Sequence, residues 1–142
     1  MNVRGNHPSD IPTPGAPPQP RRPWPLAGLG YAVATAFGFA WGAVWSTGRV
    51  TRRDGLWVFT GMPTWTFGRG GSCVGGCYLT RHNLSERVLR HERVHQQQWR
   101  RYGLALPLLY QLAGRNPLTN RFEIEAGLED GGYLRREGPV RR

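Results

Sequence analysis

His91-Glu92-Arg93-Val94-His95 is a segment whose residue types and spacing can do chemistry directly. On a helix, residues four apart lie one turn apart on the same face, so both imidazoles can reach a single tetrahedral zinc ion. Glu92 projects to an adjacent face, within reach of a water on that ion. Zinc lowers the pKa of such a water to about 7, and a neighbouring carboxylate can take its proton as it attacks a carbonyl. The implied chemistry is metal-assisted hydrolysis, with His91 and His95 as metal ligands and Glu92 as general base. The competing reading is a pair of buried, hydrogen-bonded histidines without a metal, although two inward imidazoles lacking a shared partner are costly to bury.

The spacing predicts a helix around this motif, capped at Asn83 with Glu86 reaching back to it and ended by Gly103. Leu84, Val88, His91, His95, Trp99 and Tyr102 share one stripe, so the histidines face inward beside apolar residues. A catalytic zinc needs a third protein ligand and an open position. Acidic residues recur in Asn120-Arg-Phe-Glu-Ile-Glu-Ala-Gly-Leu-Glu-Asp130, on a last helix expected from Arg121 toward Asp130 with Asn120 as its cap. Glu123 is followed on its face by Ala126 and Gly127, which permit close helix approach, and it is the preferred ligand. Glu125 is the alternative, and a capping-box pairing of Glu123 with Asn120 would explain the same spacing. Tyr102, Tyr110, Tyr133 and His82 are candidates for stabilising an oxyanion.

These motifs resemble the gluzincin superfamily of zinc peptidases, which carry His-Glu-x-x-His on one helix and a glutamate on a later one, often within Glu-x-x-Ala-Asp. Glu123-Ile-Glu-Ala126 matches the first four positions, and Gly127 stands where the aspartate would be. The chain looks most like small bacterial members of this class, over roughly residues 24 to 130. The resemblance implies His91, His95 and Glu123 as zinc ligands and Glu92 as the base. It also implies that the strand before the motif helix, near Cys77 to Thr80, pairs with an extended peptide substrate.

The elements that must position these residues follow from local chemistry. Val50 to Arg53 and Leu56 to Thr60 flank Asp54-Gly55, a strong hairpin signal, and Cys77 to Thr80 is a further strand after a glycine-rich turn. Cys73 and Cys77 are expected to be semi-buried thiols, since one such pair cannot supply four zinc ligands. Leu104 to Ala113 is almost wholly apolar, with Pro107 near its start. Leu26 to Trp45 carries no charge and as a helix would span roughly 30 Å, enough to cross a bilayer. Gly38 and Gly42 give it a small-xxx-small face on which another helix could pack.

The fold class expected is α+β: a short β-hairpin or small sheet packed on the His-Glu-x-x-His helix and on a C-terminal ligand-bearing helix, preceded by one apolar helix. Residues 1–25 are expected as a disordered proline-rich tail, 26–47 as a transmembrane or membrane-associated helix, 48–134 as a zincin-like domain and 135–142 as an arginine-rich flexible tail. The chain has 142 residues and a formal charge of +10, all of its basic side chains being arginine. That charge raises nucleic acid, an anionic membrane face and acidic partners as candidates. Scattered arginines without an aromatic platform argue against specific nucleic-acid binding, while the apolar segment makes a membrane the expected partner. Arg49, Arg52 and Arg53 after the apolar segment place the zinc domain on the cytoplasmic side. The expected activity is peptide-bond hydrolysis by a membrane-associated zinc metallopeptidase acting on a peptide or protein. Two alternatives are a catalytically inactive, zinc-stabilised membrane or interaction protein and an arginine-rich binder of anionic lipid or nucleic acid.

Overall fold

Asp54 and Gly55 take φ values of 49° and 86°, the left-handed conformation that a two-residue hairpin requires. They close β1 (Val50–Arg53) onto β2 (Leu56–Phe59) as an antiparallel pair with Arg53 opposite Leu56. A second hairpin turns at Gly75-Gly76 and joins β3 (Gly71–Val74) to β4 (Cys77–Thr80), Val74 facing Cys77. The two hairpins meet where β4 runs parallel to β2, giving a four-stranded mixed sheet in the order β1-β2-β4-β3. A computed structural model of the chain describes residues 22–66 and 70–135; the proline-rich tail expected before residue 22 and the arginine-rich end after 135 lie outside it.

Alternation along the central strands fixes what lies on either side of the sheet. Leu56, Val58 and Tyr78 pack with Leu89 of α2 (Glu86–Tyr102). Phe59, Cys77 and Leu79 turn the opposite way, toward Trp41 of α1 (Ala27–Trp45). All four residues of β4 are buried because β4 has a strand on each edge and a helix over each face. A single 3-10 turn (Gly103–Ala105) leads from α2 into α3 (Leu106–Leu112), where Pro107 sits in the first turn. The last helix, α4 (Arg121–Ala126), is capped by Asn120 Oδ1 accepting from the Phe122 N–H at 3.0 Å. The architecture is thus α+β: a small mixed sheet, three helices that follow it, and one apolar N-terminal helix long enough to cross a membrane.

Three local expectations change. The motif helix is capped by Ser85, whose Oγ accepts from the Val88 N–H, and not by Asn83. Asn83 belongs to the preceding loop, its N–H donating to Thr80 Oγ1 and its carbonyl accepting from the Tyr78 hydroxyl. The final helix stops at Ala126, because Gly127 at φ 95° breaks the spiral. The small-residue face of α1 is used, but on the sheet: a Cβ at Gly42 would stand 2.6 Å from the Phe59 ring, and one at Gly38 would stand 2.9 Å from the Val74 carbonyl.

Gly30 belongs to the same stripe, where an added Cβ would lie 2.6 Å from Leu104 N and 2.9 Å from Gly103 Cα, main-chain atoms that cannot swing aside. Gly30→Val is expected to lose about 1–3 kcal/mol or more through overpacking. Gly28 lies in the same helix with open space around its Cβ position, so Gly28→Ala should gain about 0.5–1 kcal/mol from helix propensity. Thermal unfolding of the two variants tests whether α1 is an integral wall of the fold.

Candidate metal centre

Because α2 packs one face on the sheet and meets α4 with another, the motif residues lie at the junction of both helices. His91 and Glu92 are buried, and His95 is largely so. Phe122 anchors α4 in the core cluster of Ala34, Trp99 and Leu106, and the next residue, Glu123, is carried to the histidines. His91 Nε2 and His95 Nε2 lie 3.0 Å apart. Glu123 Oε2 is 3.2 Å from His91 Nε2, and Oε1 is 3.6 Å from His95 Nε2. His91, His95 and Glu123 thus bring three ligand atoms within 4.8 Å of one another, a group that can hold a metal ion.

The outer hydrogen bonds determine what those atoms are. His91 Nδ1 lies 3.0 Å from the Gly127 carbonyl, which only accepts, so Nδ1 carries a proton and in the neutral ring Nε2 is a lone pair. His95 Nδ1 lies 2.8 Å from Gln98 Oε1. The Gln98 amide is oriented by its other end, since Nε2 donates to the Phe122 carbonyl at 3.0 Å and to Glu125 Oε2 at 3.1 Å. Its oxygen must therefore face His95, whose Nε2 in the neutral ring is again a lone pair. Two imidazole lone pairs and a carboxylate converge on one buried point, an arrangement stable only with positive charge at its centre. Burial opposes charging His95, but Glu123 and Glu92 outweigh it and raise its pKa, so a proton and a metal compete for the same place. Burial likewise opposes ionising Glu123, yet its hydrogen bonding with His91 and His95 holds the carboxyl well below the ordinary range.

Glu92 lies beside this cluster on the wall of a cavity of about 590 Å³. Its Oε2 is buried with no hydrogen-bond partner among the described residues, and burial raises its pKa despite the two histidines, which lower it. A raised carboxyl pKa means that ionisation disfavours the folded state above the ordinary carboxylate range, a strain that a nearby cation would relieve. Of the four oxyanion candidates, Tyr110 and Tyr133 line the cavity. The Tyr110 hydroxyl donates to Glu123 Oε1, and burial keeps that phenol protonated. Tyr133 stands with its ring 6.1 Å from that of His91. Tyr102 instead packs edge-on against Phe122 and Trp24, and His82 is exposed beside Arg81, so neither is at the site.

The fold brings Glu123 to the histidines and turns Glu125 outward to Gln98 and Arg101. Glu123 does not close a capping box either, since the Asn120 N–H donates to the Asn116 carbonyl. Gly127, which stands where the resembled pattern has an aspartate, presents its main-chain oxygen to His91 Nδ1. Gln98 was not foreseen; its spacing of three from His95 was a readable signal, but its role depends on acceptors contributed by α4. The strand assigned to substrate pairing also changes, because β4 is enclosed by β2 and β3. The strand on the cavity wall is β3, an edge strand, with Gly71, Ser72, Cys73 and Val74 lining the space. Both cysteines are free; burial, with Glu92 nearby, keeps the Cys73 thiol protonated, and burial pushes Cys77 up to about 11.

Comparison of the chain with protein-family models, with curated proteins and with solved structures gives no match.

Glu123→Gln is expected to weaken metal binding by at least tenfold, because a neutral amide replaces the one anionic donor, whereas Glu125→Gln should cost less than tenfold. Gln98→Leu should cost about 10–100-fold by removing the acceptor that sets the His95 tautomer. Chelator competition on the purified chain measures all three. Unchanged affinity in Glu123→Gln, with only about 1 kcal/mol of lost stability, would make Glu123 structural.

Proposed function

We propose that the chain is a membrane-associated zinc metallopeptidase of the gluzincin type, with His91, His95 and Glu123 as the zinc ligands and Glu92 as the general base. The observation that carries this reading is the convergence of the two Nε2 atoms and the Glu123 carboxylate beside a Glu92 oxygen that has no hydrogen-bond partner among the described residues, all lining one cavity. Two neutral imidazoles and one carboxylate, with no thiolate among them, are a donor set suited to zinc with a position left for water. When bound, zinc supplies an acidified water and polarises a carbonyl oxygen.

The chain's own residues do the rest. Glu92 Oε2 accepts a proton from the attacking water and returns it to the leaving amine, a role favoured by a carboxyl whose pKa lies above the ordinary range. Tyr133, on the same wall, offers a hydroxyl to the developing oxyanion. An extended peptide would lie along β3, where one edge acceptor, the Cys73 carbonyl, is already held by Trp99 Nε1 at 3.0 Å. That fixed contact leaves the Gly71 end of the strand for pairing with substrate. The apolar helix α1 supports the membrane location.

A second reading has an observation of its own. The six-residue α4 joins α2 through Glu123 and Gln98, so a metal there would also staple a short helix in place. Glu92→Gln separates the two roles. The peptidase reading expects unchanged zinc content and peptide hydrolysis reduced by at least about 10²-fold. Hydrolysis equal to that of the wild type, or none by either protein across a mixed peptide library, would leave the metal as a staple.

A further inference from the structure

We propose that this protein seats side-on upon an anionic bilayer surface, through one apolar face built jointly by α1 and α3, and does not cross the bilayer. By sequence α1 is apolar all round, and in the fold its small stripe is spent on its own domain. A flank bearing Leu29, Val33 and Phe37 at four-residue steps stays exposed, Leu29 by 64% and Phe37 by 62%. Leu104, Leu108 and Leu112 repeat that spacing along the 3-10 turn and α3, with Leu112 exposed by 75%. The two rows are neighbours, because Gly30 and Leu104 touch through their main chains. Trp65 continues the apolar surface, edge-on against Trp41 and Trp45. An apolar patch gathered from three separate segments marks an interaction surface.

The occupant follows from how α1 is fastened and from charge. Both ends of α1 are tied to the domain: the Trp24 N–H donates to the Arg101 carbonyl, and Ser46 Oγ and Thr47 Oγ1 donate to the carbonyls of Thr60 and Gly61. A spanning α1 would drag the sheet to bilayer depth with it, including the unpaired edge of β1 and the exposed Arg52 and Arg53. Hydrocarbon does not tolerate an open sheet edge. Laid side-on, α1 meets lipid with its apolar flank while the attached domain provides the polar side that an interfacial helix requires. Arg22 and Arg49 stand beyond the two ends of α1 and Arg115 beyond α3, and among the described residues none of the three has an ion-pair partner. Arg87, Arg90 and Arg93 are instead paired with Asp130 and Asp54. Exposed cations that follow or precede the two apolar helices so closely in sequence fit anionic headgroups.

The same geometry places the cleft. The inner side of α3, with Leu106, Pro107 and Tyr110, lines the same cavity as Glu92, while its outer leucines belong to the apolar face. The cavity mouth then opens at headgroup level. On the peptidase reading, which this one consequence requires, its substrates are peptide segments lying at the membrane surface.

The test is flotation of the full chain with lipid vesicles, which needs no catalysis. Wild-type protein is expected to float at low salt with phosphatidylglycerol-containing vesicles and at least tenfold less with purely phosphatidylcholine vesicles, a difference that high salt should shrink because it screens the arginines and not the apolar face. Leu29→Glu combined with Leu108→Glu should reduce flotation at least tenfold while zinc content stays at the wild-type level; Leu108→Glu alone keeps the test valid if the double variant does not fold. His91→Ala combined with His95→Ala should float like wild type, so loss of the metal centre does not mimic loss of the lipid face. Flotation of the leucine variants at wild-type level, or a change in oligomeric state as their only effect, would overturn the proposal, the latter by making the face a contact between copies. Orientation is read in sealed inside-out vesicles with a bulky impermeant maleimide. Gly28→Cys and Ala43→Cys, near opposite ends of α1, should label alike, and labelling from opposite sides would establish a spanning helix.

Discussion

Three electron-pair donors facing one another in a buried space form the constraint around which this protein is organised. With Nδ1 spent on a fixed acceptor, a neutral His91 or His95 has no proton at Nε2, and the contact either makes with Glu123 becomes a hydrogen bond only when that ring takes up a second proton. The carboxylate cannot supply a proton without losing its charge. Burial removes the water that would otherwise separate such groups. A cation at that point would resolve the conflict and would hold Glu123 on one side of the six-residue α4 while Phe122 anchors the other.

The acceptors that set the histidine tautomers are both electrically neutral, a main-chain carbonyl and an amide. Carboxylates in those places would push more electron density onto the ligands. Here the negative charge is kept in Glu123 and Glu92, and the supporting contacts supply orientation alone. Gln98 does this from two directions, since the Phe122 carbonyl and Glu125 hold its nitrogen and thereby aim its oxygen. The amide thus ties the tautomer of His95 to the docking of α4.

Packing of α1 has the same character of one contact serving two ends. Glycine and alanine along one stripe let the helix approach the sheet and the 3-10 turn closely, and Thr35 uses its hydroxyl and carbonyl to hold the second hairpin at Gly76 and Cys77. Large apolar side chains are thereby displaced to the outer flank. Close internal packing and an exposed lipid-like surface are two sides of one residue distribution.

Local chemistry made much of this legible beforehand. Asp54-Gly55 required a hairpin, Gly103 a helix end and Asn120 a cap, because each depends on neighbours in sequence. The four-residue spacing of His91 and His95 placed both on one helical face for the same reason. Choosing Glu123 over Glu125 needed only the small residues that follow it. What the chain could not disclose locally was which strand would be enclosed: β4 and β3 are comparably short, and only the parallel pairing of β4 with β2 puts β3 on the cavity wall. Gln98 and the Gly127 carbonyl acquire their roles from atoms 24 to 36 residues away. An all-round apolar α1 likewise looked the same whether it would stand alone in lipid or become a wall of the domain. Periodicity and capping are written in a few consecutive residues, whereas enclosure, tautomer and exposure are decided by which distant surfaces meet.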